Sequence, residues 1–223
     1  MKPIIMSAES VRAILDGRKT QTRRVIKPQP EPFLDTKTKM VWSYHHRAVY
    51  GTYAEMAEFM RLHSPYTVGQ RLWVRETWNA RDVVYDEYCG GYEAGYPLNP
   101  MPRTRPEYRY VIDFKATDGD EGPWRSPIFM PHWASRITLE VTGVRAERLQ
   151  EITEADVDAE GFNGDFPGRA FPSVFTGDWD YYGQFSMPEC YGILWDSING
   201  KRYPWDSNPW VWVVEFAVAG GDR

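Results

Sequence analysis

Short apolar strands separated by only a few helical segments predict a mixed α+β chain, folded as a small barrel with loops inserted into it. Three observations lead there. Runs with strand character recur along the chain, at Lys2–Met6, Thr20–Ile26, Arg71–Trp78, Tyr108–Phe114, Ser135–Val144 and Trp210–Val218. Helical periodicity is confined to a few short segments, so the regular β-α-β alternation of a parallel sheet is missing. Long stretches of weak pattern, at about 28–65, 79–107 and 162–187, interrupt the strands and read as insertions. At 223 residues the chain is long for one small domain and short for two. We therefore expect a single domain over 1–223 carrying those insertions.

Taken in order, Lys2–Met6 predicts a short buried strand, and Ser7 then serves as an N-cap. Val11, Ile14 and Leu15 recur at helical spacing, and Gly17 ends that helix. The strand Thr20–Ile26 stops at Lys27-Pro28-Gln29-Pro30-Glu31-Pro32, since proline supplies no ladder donor. A short helix is expected over Tyr53–Leu62. In Arg71–Trp78, alternation puts Leu72, Val74 and Glu76 on one face and Trp73, Arg75 and Thr77 on the other. Residues 79–107 are rich in glycine and proline and predict irregular chain. Ile137, Leu139 and Val141 share one face of the next strand. Thr153 is the strongest N-cap, with Asp156 three residues on and Ile152 and Val157 placed as a hydrophobic staple. That helix ends at Glu160, before Gly161. A last helix near 188–197 turns Tyr191, Leu194, Trp195 and Ile198 inward, and Trp210–Val218 closes the sheet.

Composition narrows the function classes. No apolar run approaches the roughly 18–20 residues of a membrane span, and the N-terminus lacks a signal-peptide core. Cys89 and Cys190 offer no disulfide framework and no C-x-x-C, so a soluble, cytoplasmic protein is expected. His45 and His46 are adjacent and the other histidines isolated, which is not metal-ligand spacing, and no phosphate-loop or dinucleotide fingerprint occurs. We expect no metal and no cofactor. The net charge of −5 argues against indiscriminate coating of nucleic acid, yet residues 1–30 carry seven basic and two acidic side chains. A local basic patch attracts phosphate whatever the sum of charges. An edge strand charged against aggregation has the same appearance.

Three constellations carry chemistry. Gly17-Arg18-Lys19-Thr20-Gln21-Thr22-Arg23-Arg24 lies where a helix passes into a strand, with Thr20, Thr22 and Arg24 on one face to bind a polar or anionic ligand. Arg75 and Glu76 lie in an apolar strand and must reach solvent or a partner, a neighbour across the strands being the plainest choice. Glu160 stands at a helix C-terminus, where a negative charge is unfavourable, and so asks for a cationic partner, with Lys19 as a candidate.

These motifs, with Gly69-Gln70-Arg71-Leu72-Trp73-Val74, the Ile152–Gly161 helix and the closing Trp212-Val213-Val214-Glu215-Phe216, resemble in kind and order those of ASCH-domain proteins of the PUA-like superfamily. The likeness is to the longer type found in phages and prophages, with Trp195-Asp196-Ser197-Ile198-Asn199 and Asn208-Pro209-Trp210-Val211-Trp212 as further landmarks. It implies an α+β, PUA-like mixed open β-barrel with peripheral helices and long inserted loops. The chain is also similar in motif to the shorter N4-acetylcytidine amidohydrolase family. That similarity implies catalytic Lys19, Thr22 and Glu160. Beside them we expect Arg24, Thr20, Arg75 and Glu76 as substrate contacts and Arg18, Arg23 and Lys27 as nucleic-acid contacts. The implied partner is a nucleoside or nucleic acid, RNA before DNA. Hydrolysis of an N-acylated cytidine and non-catalytic binding of RNA or modified DNA both follow from the likeness. A nuclease reading finds no metal-ligand spacing to support it.

Overall fold

Backbone pairing, which needs no particular side chain, decides where the strands of this protein lie. A computed structural model describes residues 1–35, 40–44, 47–86, 91–95, 107–110, 124–162, 174–175 and 184–219. The described chain is mixed α and β. It divides into two units, one of Met1–Arg12, Arg71–Leu139 and Ala219–Arg223, the other of Ala13–Gln70 and Glu140–Val218.

In the first unit β1 (Lys2–Ile5) runs parallel to β6 (Arg71–Arg75), in register from Lys2 opposite Leu72 to Ile5 opposite Arg75. Ladder order continues from β6 to the start of β10 (Thr138–Arg148), and the Val74 N–H donates to the Ile137 carbonyl at 3.0 Å just before it. β1 is an outer strand, so it is less covered than its apolar sequence predicts: Ile4 is buried while Ile5 is exposed. Residues 79–107, expected to be irregular, contribute β7 (Trp78–Asp86) and β8 (Gly91–Gly95), and β9 (Glu107–Tyr110) follows. These form an antiparallel sheet ordered β8-β7-β9. Glycine-rich strands pair through their backbones, and that pairing leaves little trace in alternation. The part of the expected Tyr108–Phe114 strand beyond Tyr110 lies outside the described residues, as does Cys89.

In the second unit β11 (Trp210–Val218) pairs antiparallel with β2 (Gln21–Val25), Val213 opposite Arg23 and Val214 opposite Thr22, in the order β10-β11-β2. The weakly patterned 28–65 stretch holds the antiparallel sheet β3 (Glu31–Asp35), β4 (Met40–Tyr44) and β5 (Arg47–Gly51), then α2 (Tyr53–Leu62). Thr52 caps α2 reciprocally with Glu55. His45 and His46 lie outside the described residues. α3 (Glu154–Ala159) has the capping box read from sequence: the Thr153 hydroxyl accepts from the Asp156 N–H, and the Asp156 carboxylate accepts from the Thr153 N–H. At the start of α4 (Met187–Asn199) the Ser186 N–H and hydroxyl both donate to the Glu189 carboxylate at 2.7 Å.

The core of this unit gathers Leu149, Ile152 and Val157 around α3, Tyr191, Leu194 and Trp195 from α4, and Val211 and Val213 from β11. Phe162 and Phe175 belong to it too, and most of the 162–187 loop that supplies them lies outside the described residues. Two expected core positions are corrected. Ile198 is 67% exposed because α4 ends one residue later and its last turn meets solvent, and Leu15, in the last turn of α1 (Ala8–Leu15), is likewise exposed while Ala13 is buried.

Gly161 follows α3 with φ +116°, a conformation unfavourable to residues with a side chain. A methyl group there would stand 3.0 Å from the Ala13 Cβ and 3.4 Å from the Lys19 Cβ. Gly161→Ala therefore carries both backbone strain and a close contact. We predict a loss of more than about 1 kcal/mol of stability, seen as a lower urea midpoint at unchanged slope. An unshifted midpoint would contradict it.

Candidate functional site

Alternation along β2 gives its residues two destinations. Gln21 and Arg23 turn towards α3. The Gln21 amide donates to the Asp156 carbonyl at 2.9 Å and to its carboxylate at 3.2 Å. The Arg23 guanidinium, fully enclosed, reaches Glu147 at 2.6 Å, Glu160 at 3.2 Å and Asp156 at 3.3 Å, and lies 5.9 Å from the centre of the Tyr191 ring. Thr22 and Arg24 project from the opposite face of the strand.

Lys19 precedes β2 and joins the first group. Its Nζ donates at 2.7 Å to both the carboxylate and the main-chain carbonyl of Glu160. The two side chains are almost completely buried. Main-chain bonds fix this junction: the Lys19 N–H donates to the Ala13 carbonyl and the Thr20 N–H to that of Ala159, while the Thr20 carbonyl accepts from the Phe216 N–H. The sequence question about Glu160 thus has its answer. A carboxylate unfavourable at a helix C-terminus is held by one cation on each oxygen, Lys19 on Oε2 and Arg23 on Oε1.

A second layer surrounds this centre. Arg145 pairs with Glu147, Asp156 and Glu215, so Glu147 and Asp156 are each shared between Arg23 and Arg145. Arg145 and Glu147 were not singled out in the sequence, where Tyr191 was read only as a core residue and Glu215 only as part of the closing strand. The available signal was the Arg145-x-Glu147 alternation, which places both side chains on one face of β10, a strand that runs four residues beyond its expected end. Gly143 allows Glu215 to approach, since a Cβ there would collide with its carboxylate.

Electrostatics follow from burial. Desolvation lowers the proton affinity of Lys19; Glu160 opposes this, and Arg24 and Arg23 reinforce it. Burial works against the charge of Arg23 as well, but Glu160, then Tyr191, Glu147 and Asp156, outweigh it and raise its pKa. The Tyr191 phenol is pushed well above its ordinary value, first by burial and then by Glu160. Burial also pushes the Asp156 carboxyl up, but hydrogen bonds from Thr153 and Gln21 and the Arg23 charge more than offset it, leaving a pKa of about 2.

The remaining expected residues lie as follows. Arg18 donates to the Gly161 carbonyl and pairs with Asp16 at 3.1 Å, so it braces the turn after α3. Arg23, read as a cation for nucleic acid, is enclosed by carboxylates and presents nothing to solvent. Lys27 is exposed. Thr20 is exposed and Thr22 buried. In the first unit Glu76 is buried and receives both branches of the Arg136 guanidinium at 2.9 Å, and the Arg75 guanidinium lies 4.6 Å from the Trp73 ring centre. An arginine just before β10 and an aromatic ring of β6 thus occupy this pair. Among the described residues no helix is long and apolar enough to cross a membrane, and no group of three or more His, Cys, Asp or Glu side chains is arranged to hold a metal ion.

No family model, curated protein or solved structure matches this chain.

Asp156 links the site to pH. Its folded pKa of about 2 lies below the ordinary 3.8, so its stabilising contribution is complete above about pH 4 and is lost as pH falls through about 2. Asp156→Asn, which still caps α3, is predicted to flatten the acid limb of stability in that window. Urea midpoints measured from pH 5 down to pH 2 check this, and parallel wild-type and variant curves would contradict it.

Proposed function

We propose that the protein is a PUA-like, ASCH-type barrel that recognises a nucleoside, and that Lys19 serves as the proton acceptor for hydrolysis of an N-acyl amide on a modified cytidine. The observation that carries this reading is the buried Lys19–Glu160 pair. An ordinary lysine is protonated near neutrality and cannot take a proton. Lys19, desolvated and under the positive fields of Arg24 and Arg23, gives up its proton more readily, while Glu160 keeps its nitrogen in place.

The chemistry assigned to these residues is as follows. Neutral Lys19 takes the hydroxyl proton of Thr22 as Thr22 Oγ bonds to the amide carbon. The C–N bond breaks, the nucleobase amine leaves with a proton, and the acyl group rests on Thr22 until water releases it as a carboxylate. Arg23, bound to the second oxygen of Glu160, positions the pair and touches no substrate.

A second reading, recognition without turnover, is favoured by strand alternation. Thr22 leaves β2 on the face opposite Gln21 and Arg23, whose side chains bind α3 and Glu160. In that reading the Lys19–Glu160 pair stabilises the fold, and binding uses the Thr22–Arg24 face.

Acetate release from N4-acetylcytidine separates the two. Under the hydrolase reading, Lys19→Ala, Lys19→Arg and Thr22→Ala lose turnover by at least about 100-fold, as removal of a general base does. Thr22→Ser keeps part of it. The Arg variant is diagnostic because guanidinium does not deprotonate. The wild-type rate rises with pH and levels off below the pKa of an ordinary lysine, since the neutral amine is the active form. Turnover retained by Lys19→Arg would remove the base role. A folded wild type that releases no acetate would leave recognition as the function.

A further inference from the structure

We propose that a cleft on the Arg24 face of β2 binds a phosphorylated nucleotide, its base stacked on aromatic side chains and its phosphate held by Arg24 and Lys27. This site rests on the recognition reading, for which it names the surface and the ligand; it does not use the Lys19–Glu160 pair and does not depend on hydrolysis. The cleft has a volume of about 440 Å³, within the roughly 300–1,000 Å³ of small-molecule sites. It lies wholly within the second unit.

Its chemistry is one-sided. Arg24, Lys27 and His63 line it, and none of its described lining residues is acidic, although the protein carries a net charge of −5. Arg24 supplies a planar fork suited to two phosphate oxygens, and Lys27 a point charge on a mobile stem. Four of the other lining residues are aromatic. Trp212, directly opposite Arg24 in the β2–β11 ladder and so on the same face, is buried along with Tyr44. Tyr66 and Tyr203 are half-buried and retain exposed surface. The Lys27 ammonium stands 5.7 Å from the Tyr203 ring centre, so a cation and a stacking surface adjoin. Asn199 adds an amide able to donate to and accept from a base edge.

A bare anion would need the cations but not the rings, and an apolar ligand would need the rings but not the cations. A nucleotide uses both, as single-stranded nucleic acids do when aromatic platforms take the bases and a basic groove follows the backbone. The cleft is open to solvent, so the nucleotide can be free or part of a strand.

The test is binding by the full chain. Fluorescence anisotropy with a labelled short single-stranded RNA is run across a salt series. Calorimetry with cytidine monophosphate and adenosine monophosphate, against the unphosphorylated nucleosides, gives the second arm. Two phosphate contacts predict a slope of log affinity on log salt of about −1.4, and Lys27→Glu flattens it by about 0.7 or more. Tyr203→Ala weakens binding about 5- to 150-fold, the loss of one stacked base. Arg12→Ala, an exposed cation on α1, changes neither quantity. Lys27 is exposed, so its variant should keep the fold; thermal melts check this for each protein. Mononucleotides that bind as tightly as the RNA would make the ligand a free nucleotide, and tighter RNA binding would make it a strand; either result supports the site. The proposal is overturned if the wild type binds neither ligand, or if Lys27→Glu and Tyr203→Ala both leave affinity unchanged. Acetate release plays no part, so failure of the hydrolase reading leaves this measurement intact.

Discussion

The Glu160 carboxylate, held between Lys19 and Arg23, is the interaction on which the rest of the second unit depends. Each partner alone would be a costly buried charge. Removing one member of a buried ion pair costs about 3–5 kcal/mol because the other is stranded, whereas the intact pair only roughly offsets its own desolvation. Arg23 is a demanding member, since a guanidinium with no exposed surface needs more than one carboxylate. Glu147 and Asp156 supply the others, and Arg145 in turn holds those two. The network thus ties β2, β10, α3 and β11 together through charge, while the neighbouring core of Val157, Tyr191 and Val213 ties some of the same elements through apolar burial.

β2 is therefore a strand with two polar faces. A strand in a small sheet ordinarily turns one face to an apolar core. Here the face towards α3 is polar but internally neutralised, and the opposite face carries Arg24 beside Trp212. This explains why a segment as charged as Arg18–Lys27 is ordered and largely covered. It also separates two tasks that the sequence had merged. Residues at one parity, Lys19, Gln21 and Arg23, build the buried centre. Those at the other, Thr22 and Arg24, face away from it, and Lys27 lies beyond the end of the strand.

Local rules made much of this legible. The capping box at Thr153, the glycine after α3, the burial of Ile137, Leu139 and Val141, and the Lys19–Glu160 pairing all follow from residue type and short spacing, or from one charge placed against a helix dipole. Arg23 was misjudged because its partners Glu147 and Asp156 lie more than a hundred residues away, and nothing local distinguishes an enclosed guanidinium from a solvated one. The strands between 31 and 51 and between 79 and 95 escaped for a different reason. Their pairing is carried by backbone groups, and glycine, proline and charged residues in them mask the period-two signal. Leu15 and Ile198 had the right period, but each sits in the last turn of its helix, where less of the neighbouring structure remains to cover a side chain.

The buried centre also constrains what Lys19 can do. Three cations, Lys19, Arg23 and Arg145, meet four carboxylates, Glu147, Asp156, Glu160 and Glu215, and the arginines do not deprotonate. Asp156 holds its charge down to about pH 2. Lys19 is therefore the cation of this group that can release a proton. Burial favours that release, and the Glu160 carboxylate resists it. A ligand that places a negative charge near Lys19 would raise its proton affinity further, whereas one that displaces Glu160 from the amine, or brings another cation close, would lower it. The same geometry can thus hold Lys19 as an inert structural cation or free it as a base, and what it does is set by the group that arrives beside it.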